Sequence, residues 1–372
     1  MKKNLPYKLL YYISIEFLNS IFIIFLVFLS LSLLVNFVEE ITFFKDKNLE
    51  NFIISVFYLA ISKTPNTIIE LSIFIFLFSG ILFFVKMQKN SEINTMLLSG
   101  ISKFIPILAP ASISFIFGIL IITLLSPISS SSLQYYEETK RLHSSNDNLI
   151  VINNLGLWFM ESLPNGYNII RADKISGNDF SKLSNVTIYN LNKDFSFIKR
   201  LDSKNIVIKD KNWVLENTKI LENNNQKSEQ NNPNYPTFNF LSSININDLK
   251  QYFSNADTIS FLKIVKNIEK LNQRGYSGDE LKVKFHKYLS LPIYLFGIIL
   301  LSTLFTIGLN KDYNTFMYLF FGLIVGFFLY FLNDLSIAIG RSNKLPIAIA
   351  VWSPVTVILF LGVINIIKIN EK

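Results

Sequence analysis

Six apolar runs, nearly free of charge, constrain this chain more than any other feature: 13–36, 66–86, 104–125, 289–309, 315–334 and 347–367. A helix needs about 20 such residues to cross a hydrocarbon core about 30 Å thick, so each run is long enough to span a bilayer. Only 17% of the 372 residues are charged, against about 25% in soluble domains, and the deficit sits in these runs. The middle third is as polar as a water-soluble protein. This pattern excludes a disordered chain and a single soluble globule. It predicts a membrane α-helical protein of six spans, three before and three after one inserted soluble domain. The first run is too long for a removable signal peptide and lacks a small-residue cleavage site. Pro65 stands just before the second run, and Pro106 and Pro110 near the start of the third.

The net charge of +8 invites a nucleic-acid reading. It fails on distribution, because 20 of the 35 basic residues lie between Lys140 and Lys284, scattered among acids. Other cations flank the runs, where they report orientation. Lys2, Lys3, Lys8, Lys86, Lys89, Lys103, Lys311, Lys368 and Lys372 mark one side. Segment 37–64 balances Lys45, Lys47 and Lys63 with Glu39, Glu40, Asp46 and Glu50. Both termini are therefore expected in the cytoplasm, and the inserted domain on the far side, the periplasm of a double-membraned bacterium. With no Cys and only His143 and His286, thiolate chemistry and Cys- or His-rich metal sites are excluded.

Domain boundaries are expected at 1–126, 127–258 and 259–372. The inserted domain reads as mostly β. Leu149–Asn153, Gly156–Glu161, Tyr167–Ala172, Val186–Leu191 and Phe195–Leu201 are short segments rich in β-branched and aromatic residues. Ile206–Ile208 and Trp213–Leu215 flank a hairpin turn, and the Asn-rich stretch Asn223–Phe238 reads as an exposed loop. Many short strands suggest a sandwich or jelly-roll. Thr258–Gln273 switches to helical periodicity and leads back towards the membrane through Arg274–Tyr276.

Nucleotide-binding, serine-hydrolase and zinc-protease motifs are absent, so no catalytic or metal-ligating residue is assigned. Glu16, Glu70 and Asp334 lie near calculated span ends and read as interface-solvated carboxylates. The segment from Ser91 to Ser102 is more informative. It reads as a short amphipathic helix capped by Ser91, with Glu92 at its positive end and Gly100 at its stop. Spacing leaves two readings open, a membrane-surface helix without a partner and a coupling helix seated in a separate ATPase.

Ser91-Glu92, then Leu98-Ser99-Gly100-Ile101-Ser102, resembles the coupling helix of the YjgP/YjgQ permeases of the lipopolysaccharide transport ABC exporter. Asn154-Leu155-Gly156-Leu157-Trp158 with Gly166-Tyr167 is similar to the first β hairpin of that family's G-type subunit. Asp210–Leu215 resembles its later Trp hairpin, and Leu345-Pro346 with Ala350-Val351-Trp352-Ser353-Pro354 its entry to the last span. The resemblance covers nearly the whole chain and is closest to the G-type subunit. The F-type paralogue, an ABC permease for another lipid or lipoprotein cargo, and a membrane scaffold or enzyme remain alternatives.

The resemblance implies an inner-membrane permease with a periplasmic β-jelly-roll-like domain, extracting lipopolysaccharide for export to the outer membrane. Implied partners are the paralogous F-type permease, two copies of a cytoplasmic ATPase, a single-span periplasmic bridge protein and the lipid. The chain itself binds no cofactor, and ATP and Mg are used by the ATPase. Glu92, Met96, Leu97, Leu98, Ser99 and Gly100 are the expected ATPase-coupling residues, with Glu92 pairing to a partner cation and Leu97 and Leu98 as anchors. Lys45, Lys47, Lys63, Arg341 and Lys344 are candidates for a phosphorylated head group. Phe25, Phe28, Phe320 and Phe327 are candidates for the lipid cavity.

Overall fold

A computed structural model describes residues 7–45, 51–102, 104–142, 149–153, 156–163, 165–176, 181–209, 212–222, 234–242, 256–273, 278–305, 314–342 and 344–371. The chain divides into two compact units, residues 1–140 with 257–265 and 281–372, and residues 141–256 with 266–280.

The first unit is helical: α1 (Tyr7–Phe44), α2 (Phe52–Glu70), α3 (Ser72–Lys89), α4 (Glu92–Leu98), α5 (Phe104–Leu120) and α6 (Ser126–Leu142). After the sheet come α7 (Phe261–Gln273), whose first residues belong here, α8 (Asp279–Ser302), α9 (Thr315–Arg341) and α10 (Ile347–Glu371). Seven of the described segments are long and apolar enough to cross a membrane, with α5 and α6 counted as one rod.

The run expected at 66–86 is divided. Leu71 alone separates α2 from α3, with ψ near −1°, and the helical hydrogen bonds from Leu71 to Thr67 and from Ile75 to Leu71 persist across it. Pro65 lies inside α2 rather than ahead of a span. The sequence concealed α2 because Ser62, Lys63, Thr64, Asn66 and Glu70 dilute its apolar residues. The third run also extends further than expected. A π-helical turn at Ile121–Leu125 joins α5 to α6, and helix continues to Leu142 through the place where the inserted domain was expected to begin. Pro127 is tolerated because it falls in the first turn after the wider π turn.

Lipid tails compete for apolar side chains as well as protein does, so membrane helices associate largely by close approach. Glycines provide it here. A Cβ at Gly118 of α5 would stand 2.4 Å from the Pro292 Cα of α8, and one at Gly80 of α3 the same distance from Ser302 Oγ. Gly322 and Gly326, one turn apart on α9, face Ile81 and Phe74 of α3. Gly297 admits Ile358 and Leu359 of α10 against α8. The core of this unit accordingly centres on α3 and α8, with Leu77, Ile81, Phe83, Phe84, Leu295 and Ile298 almost fully buried.

Among its described residues the second unit holds one seven-stranded antiparallel sheet: β1 (Leu149–Asn153), β2 (Gly156–Leu163), β3 (Gly166–Ser176), β4 (Lys182–Asn192), β5 (Phe197–Lys209), β6 (Asn212–Glu222) and β7 (Asn234–Leu241). Each strand pairs with the next in the chain, as short connections favour. Period-2 alternation turns Leu157 and Phe159 inward on β2, and Trp213 on β6 is fully enclosed, edge-on to Phe159 at 6.2 Å. The segments expected as separate strands around 195–201 and 206–208 form the single strand β5. Residues 234–238, expected in an exposed loop, belong to β7, while 223–233 lie outside the described residues, as do Arg274–Tyr276. Among the described residues the strands make one consecutive meander. The crossing between two sheets that a sandwich or jelly-roll requires is not among them.

Candidate functional site

Two polar clusters mark the two ends of α1. Glu16 and Glu40 are 24 residues apart, about 36 Å along a helix, which exceeds the hydrocarbon core.

At the first end stands α4. Ile101 donates its amide to Met96 O at 3.0 Å and Gly100 to Leu97 O at 2.9 Å. These two bonds make a Schellman stop, completed by contact of Met96 and Ile101 with the same core. Gly100 has φ +78°, the left-handed conformation that a Cβ disfavours. The start differs from expectation. Ser91 adopts φ 57° and makes no side-chain cap; its carbonyl instead accepts from the amide and hydroxyl of Thr95. Glu92 is held within the chain, accepting from the Tyr12 hydroxyl and from Asn90 Nδ2, each at 2.9 Å.

Burial divides the expected coupling residues. Met96 is buried under the helix and Leu97 is half-buried, while Ser99 and Gly100 are exposed. Leu98 is 90% exposed. Around α4, Lys86 pairs with Glu16 of α1, and Lys89 donates to the Thr315 hydroxyl at the start of α9 at 2.8 Å. Glu16 is thus an ion-pair partner rather than a merely solvated carboxylate. Glu70 accepts from Asn66 at 2.9 Å, and Asp334 is exposed.

The second end gathers α1, α2 and α6. Lys63 Nζ lies 2.7 Å from Glu39 Oε2. Glu40 is fully buried and accepts the Tyr136 hydroxyl at 2.6 Å on Oε1. Lys140 donates to the Tyr136 oxygen at 2.6 Å and lies 3.4 Å from the same carboxylate oxygen. Below this, Asn36 donates to Thr64 at 3.2 Å and to Thr67 at 3.3 Å, a buried polar tie between α1 and α2. Of the expected head-group cations, Lys63 belongs to this cluster and Lys45 is exposed just beyond α1. Lys47 lies outside the described residues. Arg341 closes α9, and Lys344 precedes α10, both exposed. Because α9 starts beside Lys89, its far end with Arg341 lies on the side of Glu40.

The sequence reading missed Glu40, Tyr136 and Lys140 as a group, having placed 127–142 in the inserted domain. The available signal was the Tyr136–Lys140 pair, four residues apart and therefore on one helix face. The aromatic candidates sort differently. Phe28 packs on Phe78 at 5.9 Å and Phe327 on Phe74 at 5.7 Å, so α3 brings α1 and α9 into one aromatic row. Phe25 is half-buried on α1, and Phe320 is 50% exposed beside Phe321.

Compared with known families, residues 11–368 match the lipopolysaccharide export system permease LptF/LptG. The chain belongs to that family. No curated protein matches it. As an LptF/LptG member it is a multi-pass membrane protein and a lipopolysaccharide export permease at the level of the family, a transporter component rather than an enzyme by class. The match takes in the polar clusters along α1, α4, the sheet and the described helices after it as far as residue 368.

Proposed function

We propose that this chain is the G-type permease subunit of the exporter, driven by a separate ATPase seated on α4. One observation carries the reading: Leu98 projects 90% exposed from a seven-residue helix whose Met96 is anchored in the bundle. A leucine held in water by a braced helix stop is otherwise unfavourable, and a partner groove removes that cost. Glu92 acts from within, tying α4 to α1 through Tyr12, so that a push on α4 reaches the first membrane helix directly.

The G-type reading rests on Gly156-Leu157-Trp158 at the start of β2 and on Trp352-Ser353-Pro354 in α10. Both termini and α4 face the cytoplasm, and the sheet, read as the family's jelly-roll-like domain, faces the periplasm and the bridge protein. At the opposite end of α1, Lys45, Lys63, Arg341 and Lys344 meet the phosphorylated head group. The aromatic row on α3 lines the acyl-chain cavity with the F-type partner. A photo-crosslinking residue at position 98 tests this in the assembled complex. Crosslinks to the ATPase, with lipopolysaccharide identified by mass spectrometry in the same preparation, are the expected result. Crosslinks to lipid alone would make α4 a surface helix and overturn the reading.

A further inference from the structure

Phe261, the first residue of α7, sits where two apolar runs meet the membrane boundary. Its amide donates to Ser126 Oγ at 3.0 Å, one residue beyond the run 104–125. Its ring stacks on Phe285 at 5.7 Å and meets Tyr288 edge-on at 5.9 Å, just ahead of the run that begins at 289. The run 104–125 starts next to α4, so its other end lies on the opposite face of the membrane. Aromatic side chains gather at such boundaries. We propose that the first two turns of α7 are a lipid anchor, with Leu262 and Val265 at the acyl boundary and Lys263 and Lys266 on the phosphates of anionic glycerophospholipids.

Burial gives this helix start two unlike faces. Ile264 is fully buried, whereas Leu262 is 70% and Val265 50% exposed, three residues apart and therefore on one face. A single exposed leucine is ordinary on a protein surface. Two apolar residues on one face, directly after a residue wedged between two span ends, match the depth at which interfacial helices bury such side chains. The position is fixed from two sides. Ser130 Oγ donates to the Asp257 carbonyl at 3.2 Å and Gln134 Nε2 to that of Thr258 at 2.8 Å, both from α6. From α8, Lys284 Nζ donates to the Ile259 carbonyl at 2.9 Å. Leu262 follows this tied segment with no slack.

Charge then selects the lipid. Between residues 261 and 287 seven Lys and Arg stand against three carboxylates, Glu269, Asp279 and Glu280. Lys284 pairs with Asp257 at 3.6 Å, and Lys287 lies within electrostatic reach of Glu70. An excess of cations remains after both, and Lys263 and Lys266 are exposed beside Leu262 and Val265. Lysine stems lie along apolar surface and lift their ammonium groups to the level of the phosphates, where an anionic surface attracts each of them. A zwitterionic membrane offers the apolar contact alone. A partner helix would cover the leucine and leave the cations unanswered. An anionic phospholipid layer answers both, and it holds the foot of the helix by which the chain returns to the membrane.

The test uses the assembled permease–ATPase complex in nanodiscs of phosphatidylcholine, alone or mixed with phosphatidylglycerol. Leu262→Cys is labelled with a fluorophore in the purified permease before assembly, since the chain has no cysteine of its own. Lys193→Cys, exposed between β4 and β5, is the reference in water. Nitroxide-bearing phospholipid is expected to quench the probe at 262 several-fold more than at 193, and aqueous iodide to do the reverse. Phosphatidylglycerol should deepen the nitroxide quenching at 262, and Lys263→Gln with Lys266→Gln should abolish that increment. Val265→Cys repeats the measurement if labelling at 262 disturbs assembly. None of these signals requires ATP hydrolysis or cargo, so they are decided apart from the function proposed above. Iodide quenching at 262 equal to that at 193 overturns the proposal. So does a probe shielded from both quenchers, which puts protein on this face, and so does nitroxide quenching indifferent to phosphatidylglycerol.

Discussion

The Tyr12 hydroxyl donates to Glu92 across 2.9 Å and 80 residues of sequence, so α1 and α4 are joined directly at the end where α4 projects. Glu92 is further held by Asn90, and Lys86 pairs with Glu16 one turn further along α1. Force applied to α4 therefore reaches the helix whose far end carries Glu39 and Glu40. Tyr12→Phe removes this tie while keeping the ring. The bond is partly solvated, so the loss of stability should stay near about 1 kcal/mol. The ratio of lipid-stimulated to unstimulated ATP hydrolysis in the assembled complex should nevertheless fall several-fold. An unchanged ratio would make the contact purely structural.

Helix stops and spans could be read from the chain because each depends on local chemistry. Gly100 ends α4 through its backbone, and the charge-free run from Thr315 to Leu332 leaves helix as the only hydrogen-bonded option in lipid. What escaped was long-range. Lys63 and Thr64 look like loop residues until α1 supplies Glu39 and Asn36 as partners. The Ser-rich stretch 129–132 resembles a linker, yet it lies inside α6, where Ser129 meets Asn66 and Ser130 meets the Asp257 carbonyl. The polar cluster at Tyr136 likewise exists only because α2 and α6 both pack beside α1.

Glycine contacts predict unequal sensitivity to the same change. At Gly118 an added Cβ meets Pro292 backbone at 2.4 Å, which cannot yield without moving α8. At Gly322 the obstacle at 2.3 Å is Ile81 Cδ1, the free end of a side chain with other rotamers. Gly118→Ala should therefore cost about 2–3 kcal/mol and Gly322→Ala about 1 kcal/mol or less, within the range for overpacking. Thermal unfolding of the two variants in detergent measures the order. The reverse order would mean that α5 and α8 pack less closely than the structure has them.

Orientation is open to a clean chemical measurement because the chain contains no cysteine. Ser102, exposed after α4, and Lys193, exposed in the turn between β4 and β5, are suitable positions. With the sheet outside the cytoplasm, a membrane-impermeant thiol reagent should label Lys193→Cys in intact spheroplasts and spare Ser102→Cys until the membrane is opened. Labelling in the opposite order would put α4 on the wrong side for a cytoplasmic ATPase and remove the coupling proposal.

Helix α4 separates two side chains, two residues apart, by burial. Met96 is 7% exposed and packs with Ile101 in the bundle core, whereas Leu98 is 90% exposed on the same short helix. Truncating Met96 removes packing from the permease, at a cost of about 2–5 kcal/mol for a buried side chain. Replacing Leu98 by Asp removes nothing from the permease, because a surface position without partners rarely moves stability by more than about 0.5 kcal/mol. The two changes should therefore fail in different ways. Met96→Ala is expected to lower the unfolding temperature of the isolated permease and weaken ATPase binding only as a consequence. Leu98→Asp is expected to leave that temperature unchanged and yet lose the ATPase during copurification, since a carboxylate entering an apolar groove leaves water without a partner. Gly100→Ala lies between them. Its Cβ meets open space, but φ +78° strains any L side chain by about 1–2 kcal/mol, so the helix should fray and binding weaken without disappearing. If Leu98→Asp copurifies normally with the ATPase and supports lipid-stimulated hydrolysis, α4 makes no groove contact through this residue, and the exposed leucine belongs to the membrane surface instead.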